Sequence, residues 1–155
     1  MSDVADRLEI MEVLYKYGQA LDHDPGLWDE VFAPDAVLDY PTRDADRQVR
    51  NDVRQIKTGA EMGAELARPF HAQGTVGQHL VSNFLIRVSG DTATARSEAR
   101  VLVSIPIGES GNTEITDRIV SFEDELSRTA EGWRITRRYL TVRYHDTRVQ
   151  FIHRQ

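Results

Sequence analysis

The sequence predicts an α+β domain in which helices come first and a meander of long antiparallel strands follows. Three observations carry this. Apolar residues recur at three- and four-residue spacing in the N-terminal part of the chain. From Gln78 onward the chain reads as long strand-like runs. Those runs are separated by compact turn signals, Ser89-Gly90-Asp91 and Ala130-Glu131-Gly132.

Taken in order, Val4, Leu8, Met11, Leu14 and Tyr15 place an apolar stripe on a first helix from Val4 to Leu21. Asp22 lies seven residues after Tyr15 and fourteen after Leu8. At about 100° per residue it returns to their face, so it is expected to point inward. Asp24-Pro25 starts a short second helix, Gly26 to Ala33, whose Leu27, Trp28, Val31 and Phe32 form another stripe and which Pro34 ends. Ala36 to Tyr40 reads as a strand, and the charged run PTRDADRQVR as a loop. Thr58-Gly59-Ala60-Glu61 has capping-box spacing and opens a third helix ending near Pro69. Strands are then expected over Gln78 to Val88, Thr92 to Ile107, Glu114 to Arg128 and Trp133 to Tyr144. Such a sheet, curling around helices that cover one face, leaves a pocket between them.

Composition narrows the function classes. A chain of 155 residues without an internal linker or repeat is expected to be one domain, 1–155. With no cysteine there is no disulfide framework, thiolate metal site or cysteine nucleophile, which suits a reducing cytoplasm. A formal charge of −6 opposes nucleic acid as a partner. No 18 apolar residues occur together, and the acidic, amphipathic N-terminus is unlike a signal peptide, so no membrane partner is expected.

Two positions draw attention as chemistry. Alternation from Gln78 puts His79, Val81, Asn83 and Leu85 on one face and Leu80, Phe84 and Ile86 on the other. Both faces are largely apolar, so the imidazole is buried and needs a partner. On the last strand Arg138 shares a face with Leu140 and Val142, which requires an ion pair or a polar cavity. Asp22, His23, Asp24 and His79 could be drawn as metal ligands, but adjacent residues at a helix end point apart, so no metal site is expected. His71, His145 and His153 lack a partner pattern and are expected at exposed ends.

The first helix ending in ALD, then WDEVFAPDA, QHLVSN, GDTATA and EGWRITRR together resemble the SnoaL-like polyketide cyclase group of the nuclear-transport-factor-like superfamily. The similarity runs from about Leu8 to Arg138. It implies a cystatin-like α+β barrel: a cone of curved antiparallel sheet closed by about three N-terminal helices, with the active site inside. It also implies a catalytic dyad, Asp22 matching the carboxylate and His79 the histidine base of the family's dehydratases and dehydrochlorinase. Tyr17 is similar to a catalytic tyrosine, Arg138 to a pocket arginine and Tyr40 to a tyrosine of scytalone dehydratase. Leu21 departs from that enzyme's tyrosine before the aspartate, and its second histidine has no match within Arg96 to Ser104. On an ideal helix Tyr17 stands about 140° from Asp22, whereas Tyr15 shares its face, so either tyrosine could face the pocket.

The chemistry follows from the residue types. A neutral histidine is a general base when a carboxylate fixes its tautomer and stabilises the imidazolium. A tyrosine hydroxyl or an arginine can then hold a developing enolate or assist a leaving oxygen. Tyr15, Trp28, Phe32, Asn83 and Phe122 are the candidates for substrate contact. The expected function is a cofactor-independent lyase, isomerase or cyclase acting on a hydrophobic, cyclic, carbonyl-containing small molecule. The alternatives are a non-catalytic ligand-binding or oligomerisation module and, ranked lower, an epoxide hydrolase, for which no inward aspartate is evident on the central strands. Val120, Phe122, Ile135 and Tyr139, if on the outer face, would favour a homo-oligomer, and the resemblance implies a trimer or dimer.

Overall fold

The computed structural model describes residues 3–44, 48–58, 66, 70–108 and 111–151. Helix α1 (Asp3–Asp22) is followed by a 3-10 turn (Pro25–Leu27) and a single-turn helix α2 (Trp28–Val31). Six strands follow: β1 (Phe32–Arg43), β2 (Val49–Thr58), β3 (Val76–Ser89), β4 (Thr92–Ile107), β5 (Asn112–Thr129) and β6 (Gly132–Gln150). They form one curved sheet in the order β2-β1-β6-β5-β4-β3. The sheet does not close, since β2 and β3 are its edges. The expected α+β arrangement of curved sheet on N-terminal helices is what the chain adopts, with one difference. Neighbours are antiparallel except β1 and β6, which run parallel and make the sheet mixed.

The start of the chain folds for local reasons. Asp24 accepts a hydrogen bond from the Gly26 N–H through Oδ1 at 2.9 Å, and Pro25 fixes the first position of the turn. The second helix is shorter than its apolar spacing suggests, because Phe32 already has extended backbone and opens β1. Pro34 therefore lies in β1, between the Phe32 and Val37 pairings with β6 where the register shifts. The charged run expected to be a loop belongs largely to strands: β1 extends to Arg43, and β2 pairs back on it from Val49. The third helix expected from Thr58 falls outside the described residues except for Leu66, which is helical.

Three registers set which side chains face the helices. The β4–β5 pairing runs without interruption, so Ala93, Ala95, Ser97, Ala99 and Val101 oppose Leu126, Asp124, Phe122, Val120 and Arg118 on the concave face. The small residues of β4 leave space there for the bulky ones of β5. On β3 a bulge between Ser82 and Leu85, with Asn83 at φ 57°, inserts one extra residue and resets the alternation. His79 and Val81 thus share the concave face with Phe84 and Ile86, whereas Leu80 and Leu85 are exposed on the other. A second bulge, between Glu125 and Leu126 in the pairing with β6, brings Trp133, Ile135 and Arg138 all inward. Val120, Phe122 and Ile135 are consequently core, not outer-face, residues; Tyr139 alone of that expected outer set is exposed.

Helix α1 buries Ile10, Val13, Leu14, Tyr17, Ala20 and Leu21 against this face. The stripe read from the sequence is rotated from it: Val4 is 66% and Leu8 58% exposed. Tyr15 overhangs edge strand β3 and meets Phe84 edge-on at 5.0 Å.

Candidate active site

At Gly18 helix α1 comes close to β3. A Cβ there would lie 3.1 Å from the His79 Cβ and 3.4 Å from its carbonyl oxygen. Only glycine lets the helix backbone approach so near without displacing the strand. Relative to Gly18, Asp22 sits one turn further on and only about 40° around an ideal helix, so it faces the same strand. Tyr17, about 100° to the other side, reaches over the sheet. Both side chains address His79, and neither needs a bend in the helix.

The resulting pair is tight. His79 Nδ1 lies 2.6 Å from Asp22 Oδ1, and the His79 backbone N–H donates to Asp22 Oδ2 at 2.6 Å. Both side chains are 4% exposed. A carboxylate accepts only, so Nδ1 carries the proton and Nε2 of the neutral ring is left as the basic nitrogen. Gly77 makes room for the pair, since a Cβ there would meet Phe70 Cδ1 at 2.9 Å and Asp22 Oδ1 at 3.0 Å. Phe70 packs on the imidazole with ring centroids 5.2 Å apart.

His79 lines a cavity of about 430 Å³ between the helices and the concave face. Tyr17, Tyr40 and Phe122 line it as well, together with Leu21, Leu38, Phe70, Val101 and Leu140. Its remaining polar lining includes Thr42, Arg43, Gln55 and Arg118. The Tyr40 hydroxyl is 3.3 Å from Gln55 Oε1. The Tyr17 and His79 ring centroids are 6.0 Å apart. Burial pushes the Tyr17 hydroxyl above its ordinary pKa, and the adjacent Arg138 charge opposes this only in part. Tyr17 therefore stays a neutral O–H donor across the physiological range.

Arg138 is placed differently from the sequence expectation. It does not line the cavity but lies fully buried behind it, with Nε and Nη2 donating to Asp124 Oδ1 and Oδ2 at 2.7 and 2.8 Å. Its guanidinium is sandwiched between the rings of Tyr17, 4.1 Å away, and Phe122, 4.2 Å away. It supports two lining residues from below. Trp28 and Phe32 likewise contact Tyr17 from behind, at centroid distances of 6.0 and 6.1 Å.

Besides Arg138, Trp28 and Phe32, two further candidates do not line the cavity. Tyr15 is 47% exposed and rests on Phe84 without lining the cavity, whereas Tyr17 lines it. Asn83 spends its side chain on Glu98, with Nδ2 donating to Oε2 at 2.7 Å, at the β3 bulge. His71, expected at an exposed end, is exposed, and its Nε2 lies 3.2 Å from the Ala20 carbonyl near the end of α1. Gly18, Gly77 and Arg118 were not evident as site residues in the sequence. For Gly18 a signal existed, because glycine inside a helix costs about 1 kcal/mol relative to alanine and so marks a close approach. Among the described residues no group of three or more His, Cys, Asp or Glu is arranged to hold a metal ion. No described helix is long and apolar enough to cross a membrane.

Comparison with known proteins gives the same outline. Residues 2–139 match a family model described as SnoaL-like domain. Rv2910c, an uncharacterized protein of Mycobacterium tuberculosis, is 32% identical over 144 residues, spanning 91% of this chain and 88% of that protein. A candidate scytalone dehydratase from Novosphingobium aromaticivorans superposes with a TM-score of 0.70 at 18% identity, covering 99% of this chain and 97% of the other. A hexachlorocyclohexane dehydrochlorinase, LinA type 2, superposes with a TM-score of 0.69 at 16% identity, covering 98% and 94%. At such identities the two structures establish a shared fold.

Proposed function

The chain belongs to the SnoaL-like domain family, and from that premise we propose that it is a cofactor-independent acid–base enzyme of the lyase, isomerase or cyclase type. The observation that carries the proposal is the buried imidazole of His79, held by Asp22 at 2.6 Å on Nδ1 and lining the cavity. In this reading Nε2 removes a proton from a carbon beside a carbonyl, and the C–H electron pair becomes the enolate. Asp22 stabilises the imidazolium that forms. The neutral Tyr17 hydroxyl donates to the developing oxyanion. The imidazolium then returns its proton to a leaving oxygen as its C–O bond breaks, to another carbon in an isomerisation, or to the alkoxide formed when the enolate carbon adds to a second carbonyl in a ring closure. The apolar lining suits a hydrophobic cyclic substrate, and the eliminations named for the dehydratase and dehydrochlorinase of the same fold share with this outline the removal of a proton from carbon. Tyr40 closes the polar side of the cavity, and Arg138 acts by positioning Tyr17.

A homo-oligomer, dimer or trimer, is part of the proposal. Its support is the exposed Val4, Leu8 and Tyr15 on α1 together with Leu80, Leu85, Ile119, Tyr139 and Tyr144 on the sheet, in place of the buried Val120, Phe122 and Ile135. The absence of cysteine suits a cytoplasmic setting.

The test is proton exchange. A panel of cyclic ketones incubated with the protein in deuterium oxide should gain deuterium at the carbon beside the carbonyl, or react onward. His79→Gln, assayed per folded molecule, should lower that rate by roughly 10²–10⁴-fold. An unchanged rate in His79→Gln would overturn the proposal. Binding of the panel without exchange would point instead to a ligand-binding module.

A further inference from the structure

The cavity is lined from both edge strands of the sheet, by His79 on β3 and by Gln55 on β2. A ligand that fills it therefore meets the dyad from one strand and the β1–β2 hairpin from the other. Gln55 stands opposite Tyr40 in the β1–β2 register, so the two side chains share the concave face. One hydrogen bond joins them, 3.3 Å from the Tyr40 hydroxyl to Gln55 Oε1. The other polar groups of the lining away from the dyad are already committed. Thr42 Oγ1 donates to the Val53 carbonyl at 3.1 Å, and Arg43 and Arg118 are both engaged within the protein. Around the pair the hairpin and β6 contribute Leu38, Pro41, Val49, Leu140 and Val142, all apolar.

The pair has capacity to spare, and valence fixes its kind. A phenol carries one donor and its acceptor lone pairs, and a carboxamide two donors and an acceptor oxygen. With the Tyr40 proton on Gln55 Oε1, Nε2 is left as a donor and the Tyr40 oxygen as an acceptor. Turning the carboxamide over exchanges these roles and again leaves one donor beside one acceptor. Among the described residues no other hydrogen bond uses either side chain. A hydroxyl group satisfies both at once, accepting from one and donating to the other. An ether oxygen can only accept, and an unsubstituted ring edge does neither.

We propose that Gln55, paired with Tyr40, is a specificity-determining residue that recognises a hydroxyl group on the substrate, at the end away from the carbonyl. The substrate is then a cyclic carbonyl compound with a hydroxyl at its far end. This rests on the acid–base reading for which end reaches His79, and adds what holds the other. Tyr17 and His79 act on the carbonyl end, and Gln55 selects the molecule by its opposite end.

The experiment compares ligands of one skeleton by titration calorimetry on the full chain at neutral pH. They are an acetylnaphthol whose two groups lie at opposite ends of the ring system, its methyl ether, and the acetylnaphthalene without the oxygen. Acetylnaphthol should bind at least about 10-fold more tightly than either, the range for two neutral hydrogen bonds that replace bonds to water. Gln55→Met, which keeps the length of the side chain and loses the carboxamide, should abolish that preference. It should weaken acetylnaphthol about 10-fold and change the other two by less than about 3-fold. Tyr40→Phe removes the other half of the pair and should narrow the preference as well; it serves if the Gln55 variant folds poorly. Equal affinity for acetylnaphthol and its ether, no binding of acetylnaphthol, or a preference that survives in Gln55→Met would overturn the proposal. None of these readouts needs turnover, so the acid–base reading stands or falls separately, by proton exchange in His79→Gln.

Discussion

Asp22 accepts two hydrogen bonds from His79, one from the backbone N–H and one from the ring Nδ1–H, each 2.6 Å long. Asparagine at this position can keep one acceptor only. If its oxygen retains the backbone bond, its NH₂ faces Nδ1, which must then become the acceptor, and the proton moves to Nε2. Asp22→Asn is therefore expected to keep the fold and lose turnover by roughly 10²–10⁴-fold. The double variant with His79→Gln should be scarcely worse than the worse single one, because the residues act as a unit. Ring-nitrogen NMR of His79 reads the tautomer directly; an identical spectrum in Asp22→Asn would exclude this role for the carboxylate.

The two glycines that admit the dyad should be sensitive to a single methyl group. In Gly77→Ala the added Cβ would crowd Phe70 and the Asp22 carboxylate at 2.9 and 3.0 Å, so one of them must move. In Gly18→Ala the crowding falls on the His79 Cβ and carbonyl, while the helix gains about 1 kcal/mol of intrinsic propensity. Both variants should lose about tenfold or more in rate, since small misplacements of a positioned base are costly, with Gly18→Ala keeping a near wild-type melting temperature. Rates per folded molecule beside thermal melts check this.

Arg138 and Asp124 form a fully buried ion pair. Removing one partner strands the other charge in the core, so Arg138→Met or Asp124→Asn should each cost about 3–5 kcal/mol in urea unfolding. Replacing both by apolar residues should recover much of that loss. If the single variants unfold at the wild-type midpoint, the pair does not support the wall behind Tyr17.

Tyr17→Phe should fold normally and lose less activity than His79→Gln, because the hydroxyl assists a charge rather than generating it. Its raised pKa adds a spectroscopic check. In an ultraviolet titration of the phenols, the variant should lack a tyrosine that ionises above the ordinary value near 10. Loss of an early-ionising phenol instead would contradict the burial argument.

Asp6 joins the start of α1 to the β5–β6 hairpin. Its carboxyl is held below the usual value, first by the hydrogen bond from Arg128, at 2.8 Å in the structure, and further by the Trp133 Nε1–H at 3.4 Å. A lowered folded pKa contributes stability that is present above the unfolded value of about 3.9 and fades as pH falls through the folded one. The wild-type melting temperature should therefore drop more steeply below pH 4 than that of Asp6→Asn, and parallel curves would rule out the linkage.

By itself the sequence determined that helices come first and long antiparallel strands follow, the turns at Ser89-Gly90-Asp91 and Ala130-Glu131-Gly132, and the Asp22–His79 pairing through its resemblance to a family. These are local or motif-borne: Gly90 and Gly132 adopt φ of 61° and 109°, which few other residues tolerate, so their turns are written in the chain. Tertiary structure decided the faces. Alternation along a strand carries its phase forward until a bulge resets it, and the bulges at Asn83 and near Thr136 exist only against their partner strands. That is why Ile86 is buried and Leu85 exposed. Helix α1 carries two apolar stripes, and which one is buried depends on Gly18 meeting His79, a contact 61 residues away in sequence that no helical period contains. The parallel β1–β6 pairing and the strand hidden in the charged run around Arg50 are likewise non-local, and Arg118 becomes a cavity residue only through the rung that joins it to His79.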